Sequence, residues 1–363
     1  MTYTPLALIA ELTHRCPLHC VYCSNPIEMQ ARQNELTTEM WNSVFAQAAA
    51  MGVLQLHLTG GEPTAREDIT QLIAHGREHK LYSNLITSGL GLSEKKLEQY
   101  RAAGLDHIQL SFQDSQESTA NEYAGTKAHA LKLKAAAMIK KFPLAFTLNI
   151  VIHRQNISRL AEMIALGESL GVDRMEIAHV QYYGWAFKNR AALMPTLDQV
   201  KQSMDLIYAA KERLKDKVRI DFAAPDYFAK YPKACMGGWG QTSLLIDPAG
   251  RVLPCHSAMV IPGMTFENVR EKPLAEIWAS SAAFQKFRGE DWMKEPCKSC
   301  DRRTQDFGGC RCQAYLVTGD AQATDPVCSL SPNRDLINAK TTEAATNQAQ
   351  VHKVQDTWLY RKQ

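Results

Sequence analysis

From Ser24 to Ala234 the sequence holds no cysteine, although the chain of 363 residues has ten in all. It also lacks an excess of either charge: 41 basic side chains face 38 acidic ones, a net +3. That balance, with no long basic block, leaves no electrostatic footprint for nucleic acid or an anionic membrane. No apolar run nears the roughly 20 residues that cross a bilayer. The opening MTYTPLALIAEL is apolar, but it has no basic n-region and carries Glu11 where a secretion signal stays uncharged. These absences predict a cytoplasmic protein with neither nucleic acid nor membrane among its partners. They also argue against a disulfide scaffold, because cytosolic thiols are kept reduced.

What is present begins with Cys16-x3-Cys20-x2-Cys23, a compact loop just after an apolar, strand-like run. Three thiolates leave a four-ligand metal site one short, and the next cysteine is Cys235. A cubane iron–sulfur cluster held this way keeps one iron open to a substrate or cofactor, as catalytic zinc sites keep one position open. Zinc completed by His14 or His19, or plain buried thiols, are the competing readings.

Between the cysteine-bearing ends the pattern alternates strand and helix. Strands are expected at 5–12, 53–58, 81–87, 107–112, 144–152 and 174–180, and helices at 36–51, 66–79, 93–103, 128–141 and 157–170. Short apolar strands separated by amphipathic helices imply parallel pairing with right-handed crossovers. Six units predict an open, partial (β/α)6 barrel of the α/β class, closed by a helix at 198–215 and a strand, VRIDF. In such barrels active residues gather on loops at the C-terminal ends of the strands, where the three cysteines fall. The expected division is a barrel over 1–222, an auxiliary-cluster domain over 223–330 and a tail over 331–363. From about residue 225 Gly, Pro and Cys rise, which suggests a part organised by metal. After Cys328 the polar INAKTTEAATNQAQ reads as a mobile or only partly helical tail.

Gly60-Gly61-Glu62-Pro63 follows the second strand. Two glycines let a backbone approach a ligand closely, and carbonyls there, or Glu62, can accept hydrogen bonds from an amino group. Alone, this is an ordinary strand-to-helix turn; its weight comes from sharing a barrel face with the cysteines. Thr87, Ser88, Ser111 and Asn149 sit at the ends of later strands and face the same mouth. The late cysteines run Cys235, Cys255 (after Gly250), Cys297, Cys300, Cys310, Cys312 and Cys328, with Asp306 among them. Seven thiolates and a carboxylate make eight ligands, enough for two full clusters or for paired zinc knuckles. His75-Gly76-Arg77-Glu78-His79 matches a zinc-peptidase pattern. It lies at the far end of a helix containing Gly76, so no histidine is assigned a metal. The aromatic run Tyr182, Tyr183, Trp185, Phe187 reads as packing, or as a rim that touches a peptide.

On these residues the chain resembles the radical S-adenosylmethionine (SAM) enzymes that carry a C-terminal SPASM iron–sulfur domain. The resemblance spans nearly the whole chain: the three-cysteine loop, the GGEP turn, six β/α units and the seven late cysteines. Within that family, HVQYYGWAFKNR (179–190) and Asp306 in place of a cysteine resemble the members of pyrroloquinoline quinone biosynthesis. The resemblance implies an enzyme that uses a 5′-deoxyadenosyl radical to form a carbon–carbon bond between a glutamate and a tyrosine of the peptide PqqA. It implies a 4Fe–4S cluster with an open iron on Cys16, Cys20 and Cys23, and SAM held near Gly60, Gly61, Glu62, Pro63, Ser88, Ser111 and Asn149. It implies two auxiliary clusters: a 4Fe–4S on Cys297, Cys300, Asp306 and Cys328, and a 4Fe–4S or 2Fe–2S on Cys235, Cys255, Cys310 and Cys312. With the first strand at residue 5, no fused winged-helix peptide-binding domain is expected. A separate chaperone, PqqD, and a flavodoxin- or ferredoxin-type reductant are expected instead. Thr87-Ser88-Gly89 departs from the family's usual Asn before Gly. No general base stands out among His14, His19, His57 and Glu11. Other readings are a thioether former, a sulfatase maturase, or a non-enzymatic electron carrier.

Overall fold

A computed structural model describes residues 3–346 and 358–362. Strands β1 (Ala7–Thr13), β2 (Gln55–Gly60), β3 (Tyr82–Thr87), β4 (His107–Phe112), β5 (Ala145–Ile152), β6 (Arg174–His179) and β7 (Arg219–Ala223) pair in parallel, each beside the next. The connecting helices are α1 (Thr38–Ala50), α2 (Ile69–Glu78), α3 (Glu94–Ala102), α4 (Glu117–Ala124), α5 (His129–Ile139) and α6 (Leu160–Ser169). Two short helices, α7 (Gly184–Lys188) and α8 (Arg190–Leu193), precede α9 (Leu197–Leu214). This is the α/β partial barrel expected from the sequence.

Local chemistry sets the boundaries. The Thr37 hydroxyl accepts from Met40 N–H at the start of α1, and Ser93 does the same for Lys96 in α3. Thr196 and Gln199 form a reciprocal capping box on α9. Along each strand alternate residues part company. Leu8, Leu56, Leu58, Ile108, Leu110, Leu148 and Ile177 join helix residues such as Trp41, Phe45 and Ile139 in one buried core. Their neighbours, turned the other way, include a row of polar side chains. Asn84 Nδ2 reaches His57 Nδ1 and Gln109 Oε1, each at 3.3 Å, and Gln109 Nε2 donates to Glu176 Oε2 at 2.9 Å. These polar side chains line the lumen, hydrogen-bonded to one another.

The sheet does not stop at seven strands. β8 (Ser243–Ile246) adds in parallel to the free edge of β1, and β9 (Val252–Leu253) adds antiparallel to β8. Four residues inside a Gly- and Cys-rich segment carry too little periodicity to be read as a strand. At the β8–β9 turn Asp247 Oδ1 accepts from Ala249 and Arg251 N–H groups. Gly250 has φ +94°, and a Cβ there would meet Asn268 Oδ1 at 2.6 Å. Beyond β9 come α10 (Leu274–Ser280), α11 (Ala282–Gln285), α12 (Arg303–Asp306), α13 (Arg311–Thr318) and α14 (Arg334–Thr346). A small apolar cluster around Trp239, Leu253 and Phe287 includes Cys255 and Cys312, so thiols and core share one packing unit.

The polar stretch after Cys328 thus begins as a helix, α14. The part of the expected tail at 347–357 lies outside the described residues. Among the described residues no helix is long and apolar enough to cross a membrane.

Candidate radical-cluster site and two thiol sets

The loop after β1 carries Cys16, Cys20 and Cys23, and three neighbours fix its backbone. From below, Gly61 N–H donates to Thr13 O at 2.6 Å and Glu62 N–H to Arg15 O at 2.7 Å. Cβ atoms at Gly60 and Gly61 would stand 2.2 Å from Thr13 O and 2.3 Å from Arg15 O. Both glycines therefore serve backbone-to-backbone contact with the loop, besides leaving the turn open. From one side, His19 and Val21 N–H donate to Ala124 O and Tyr123 O at the end of α4. From the other, Trp185 N–H donates to Cys23 O at 2.9 Å, and Asn189 Nδ2 to Val21 O at 2.7 Å. A Cβ at Gly184 would meet Asn25 O at 2.2 Å.

The three cysteines line one cavity of about 340 Å³ with Gly60, Gly61, Ser88, Ser111 and Asn149. Glu62 lines the adjoining cavity together with His14 and Cys16, whereas Pro63 is buried in the turn. The Glu62 carboxylate is already well supplied. It accepts from Thr64 N and Oγ1, Thr87 Oγ1, and Ser88 N and Oγ, at 2.5 to 3.1 Å. It ties the end of β2 to the end of β3 and aims the Ser88 backbone.

Two cations that the sequence reading missed stand here. Lys132 of α5 is fully buried, and its Nζ donates to Ser111 O at 2.7 Å and to Ser111 Oγ at 3.3 Å. Burial pushes its pKa down to about 8. In sequence it belongs to KLKAAA, which reads as a solvated helix face. Arg361 also lines the cysteine cavity, although it is far away in sequence. Burial pushes Cys16 up to about 11 and Cys20 up to about 12, while Arg361 acts on both in the opposite sense. Ionised sulfur here needs cations beside it, as iron would provide.

Each of the four base candidates has a hydrogen-bond partner in this arrangement. His14 Nε2 lies 3.4 Å from Glu11 Oε2, and its Nδ1 accepts from Gln30 N–H at 2.9 Å. His19 Nδ1 is 2.6 Å from Arg361 O, and His57 belongs to the lumen network. His75 pairs with Glu78 and His79 with Asn42, separate from the strand ends.

The late cysteines fall into two sets. Cys235, Cys255, Cys310 and Cys312 pack in one cluster, close enough for each to shift its neighbours' acidity. Ser257 N–H donates to Cys255 Sγ at 3.3 Å, and Gln313 N–H to Cys310 Sγ at 3.4 Å. Arg311, between Cys310 and Cys312, is buried over the Trp292 ring, and its guanidinium donates to Ala321 O and Ala323 O. Cys297, Cys300, Asp306 and Cys328 line a second, separate small cavity. There Asp306 Oδ1 accepts from Gly308 N–H at 3.1 Å. Both donor sets fit iron–sulfur clusters: soft thiolates, backbone N–H groups on sulfur, and, in one, a single hard carboxylate.

The aromatic run divides. Tyr182, Tyr183 and Trp185 are buried. Phe187 lines a cleft of about 580 Å³ with Lys188, Arg251, His256, Met259 and Met264.

Residues 10–167 match the Radical SAM superfamily, and residues 235–301 match an iron–sulfur cluster-binding domain known as SPASM. The chain is 55% identical to a protein named PqqA peptide cyclase from Methylobacterium nodulans, over 92% of this chain and 89% of that one. It is 52% identical to one of the same name from Gluconobacter oxydans, over 99% and 98%. Among solved structures it resembles Streptococcus suis SuiB bound to S-adenosylmethionine, with a TM-score of 0.75 at 20% identity, over 90% of this chain and 78% of SuiB. That last likeness speaks for the fold alone.

Proposed function

The chain belongs to the PqqA peptide cyclase family of radical SAM enzymes, and from that premise we propose that it joins a glutamate and a tyrosine side chain of the precursor peptide PqqA in pyrroloquinoline quinone biosynthesis. When bound, a 4Fe–4S cluster with one open iron and SAM supplies the 5′-deoxyadenosyl radical that takes a hydrogen from the glutamate γ-carbon. The residues' part is to hold and shield. Cys16, Cys20 and Cys23 would hold that cluster at the strand ends. Backbone groups of Gly60 and Gly61, with Ser88, Ser111 and Asn149, would cradle SAM above it. Glu62 would act through Ser88, since its own oxygens are engaged. Lys132, behind Ser111, supplies a buried positive charge to the same wall.

Bond formation leaves the tyrosine ring with one electron and one proton to lose. Cys235, Cys255, Cys310 and Cys312 would hold one auxiliary cluster, and Cys297, Cys300, Asp306 and Cys328 another, giving that electron a way out. We read residues 1–222 as the barrel that binds SAM and 223–330 as the auxiliary-cluster domain, joined through β8 to the barrel's own sheet. PqqD as peptide chaperone and a flavodoxin- or ferredoxin-type donor complete the assembly. The ten free cysteines suit the reducing cytoplasm as its compartment.

One observation carries this reading: the three-thiol loop, the GG turn and the polar strand ends line one cavity. The test is anaerobic incubation of reconstituted protein with SAM, a reductant, PqqA and PqqD, followed by mass spectrometry. A PqqA product lighter by two hydrogens, formed together with 5′-deoxyadenosine, is expected. Tight capture of PqqA by this chain alone would remove the need for PqqD. No deoxyadenosine from protein of verified iron content would overturn the reading.

A further inference from the structure

The segment 358–361 returns to the cluster loop from the far end of the sequence, with Arg361 bonded to the loop and the three residues before it held by the elements that flank it. Trp358 is buried; its Nε1 donates to Glu122 Oε1 at 2.8 Å, and its ring stands edge-on to Tyr123. Leu359 is clipped on both sides by Asn189, whose Nδ2 donates to Leu359 O while its Oδ1 accepts from Leu359 N–H. The same Asn189 Nδ2 donates to Val21 O of the cluster loop. The Tyr360 ring covers Gly125, where a Cβ would come within 2.9 Å of it.

Arg361 is 3% exposed. Its guanidinium donates to His14 O and, at 3.2 Å, to Leu18 O, and it contacts Met29 Sδ at 3.0 Å. Its backbone N–H donates to His19 O, while its own carbonyl meets His19 Nδ1 at 2.6 Å. The guanidinium thus bridges carbonyls on both sides of Cys16, in the cavity wall that the three thiols share. Its Nε–H is buried with no acceptor among the described residues, a donor that an anionic group bound in the cavity would satisfy.

We propose that residues 358–361 are a clasp on the radical-cluster loop, in which Arg361 is a positioning residue that fixes the three-thiol geometry and sets a positive charge beside the cluster. Two physical consequences follow. A fork of donors that links His14 O to Leu18 O resists the opening that would let Cys16 swing away. A fixed, desolvated cation favours the more negative, reduced form of the cluster and so raises its potential. The inference rests on the cluster reading of Cys16, Cys20 and Cys23, but the clasp itself is also measurable without iron.

The test uses the full chain with Arg361→Ala, Arg361→Gln and Arg361→Lys. By hydrogen–deuterium exchange of the iron-free chain, the His19 and Val21 amides should exchange about tenfold faster in Arg361→Ala, the scale of one charge-assisted hydrogen bond. Exchange at the wild-type rate would overturn the clasp. In reconstituted protein, loss of iron to a chelator should quicken by about the same factor in Arg361→Ala and Arg361→Lys, which lack the fork. The potential of the SAM-responsive cluster should fall in Arg361→Ala and Arg361→Gln, and stay with the charge in Arg361→Lys. A potential that ignores the charge would overturn the electrostatic half. Wild-type protein whose reduced cluster gives no spectroscopic change with SAM would instead refute the functional reading and leave the exchange result to judge the clasp.

Discussion

The Tyr183 hydroxyl lies 2.9 Å from Cys310 Sγ, where the aromatic stretch after β6 meets the cluster of four thiols. Burial holds the Tyr183 pKa well above its ordinary value, and toward a cluster-bound Cys310 thiolate the phenol would be the donor. A hydrogen bond to a ligand thiolate stabilises the reduced cluster. Tyr183→Phe should therefore lower the potential of the auxiliary cluster proposed on Cys310 and reduce the yield of cross-linked PqqA, while deoxyadenosine formation persists. An electron paramagnetic resonance redox titration with the potential unmoved would contradict this.

Asp306 sits 8% exposed in the same cavity as Cys297, Cys300 and Cys328. A hard carboxylate binds iron more labilely than thiolate and shifts its potential. Asp306→Cys should leave iron content intact and change the product yield per deoxyadenosine formed. An unchanged ratio of peptide to deoxyadenosine would show that the carboxylate does not tune electron removal.

Glu62 gathers five donors from Thr64, Thr87 and Ser88. Its removal leaves those donors without their acceptor, at a cost of about 3 kcal/mol or more. Glu62→Ala should lower the thermal midpoint by several degrees and weaken SAM binding about tenfold through the loss of the Ser88 geometry. Isothermal titration of SAM into reconstituted variant protein reads the second effect. Wild-type affinity would show that the turn does not shape the SAM site.

Two deeply buried histidines contribute to the acid sensitivity of the fold. Burial pushes both His153 and His179 down to about 3. In the unfolded chain each takes up a proton near pH 6.5, whereas the folded state refuses it until about pH 3. Their contribution is therefore complete above about pH 6.5 and is lost progressively as the pH falls, by about 2 kcal/mol each at pH 5. His179 Nε2 lies 3.4 Å from Ser203 Oγ on α9 and the residue also borders the cysteine cavity, so His179→Gln should flatten this loss, and stability rather than activity is its readout. Urea unfolding at pH 7 and pH 5 measures it, and an equal acid loss in the variant would contradict the assignment.

The barrel was legible because parallel strands and their helices repeat a pattern. His107–Phe112 falls where alternation and length predict it, and α1 begins at the Thr37 cap. Helix α4 was not legible, because ESTANEYA offers little apolar periodicity; its importance lies in the carbonyls it gives to His19 and Val21. β8 was hidden for the opposite reason: SLLI is short and wholly buried, and its partner β1 lies more than two hundred residues earlier. The proposed cluster ligands stand out in the sequence by residue type and spacing. The groups that support them do not: Lys132 looks like helix surface, and Arg361 lies beyond a polar stretch with no pattern. Their roles arise only from tertiary proximity.

The central claim is that a radical generated at the Cys16–Cys20–Cys23 site takes the glutamate γ-hydrogen of PqqA. PqqA carrying deuterium at that carbon, incubated with PqqD, SAM and reduced enzyme, tests it in one mass spectrum. The account predicts deuterium in the 5′-deoxyadenosine and its loss from the cross-linked peptide. Cross-linked peptide accompanied by deuterium-free deoxyadenosine would contradict it.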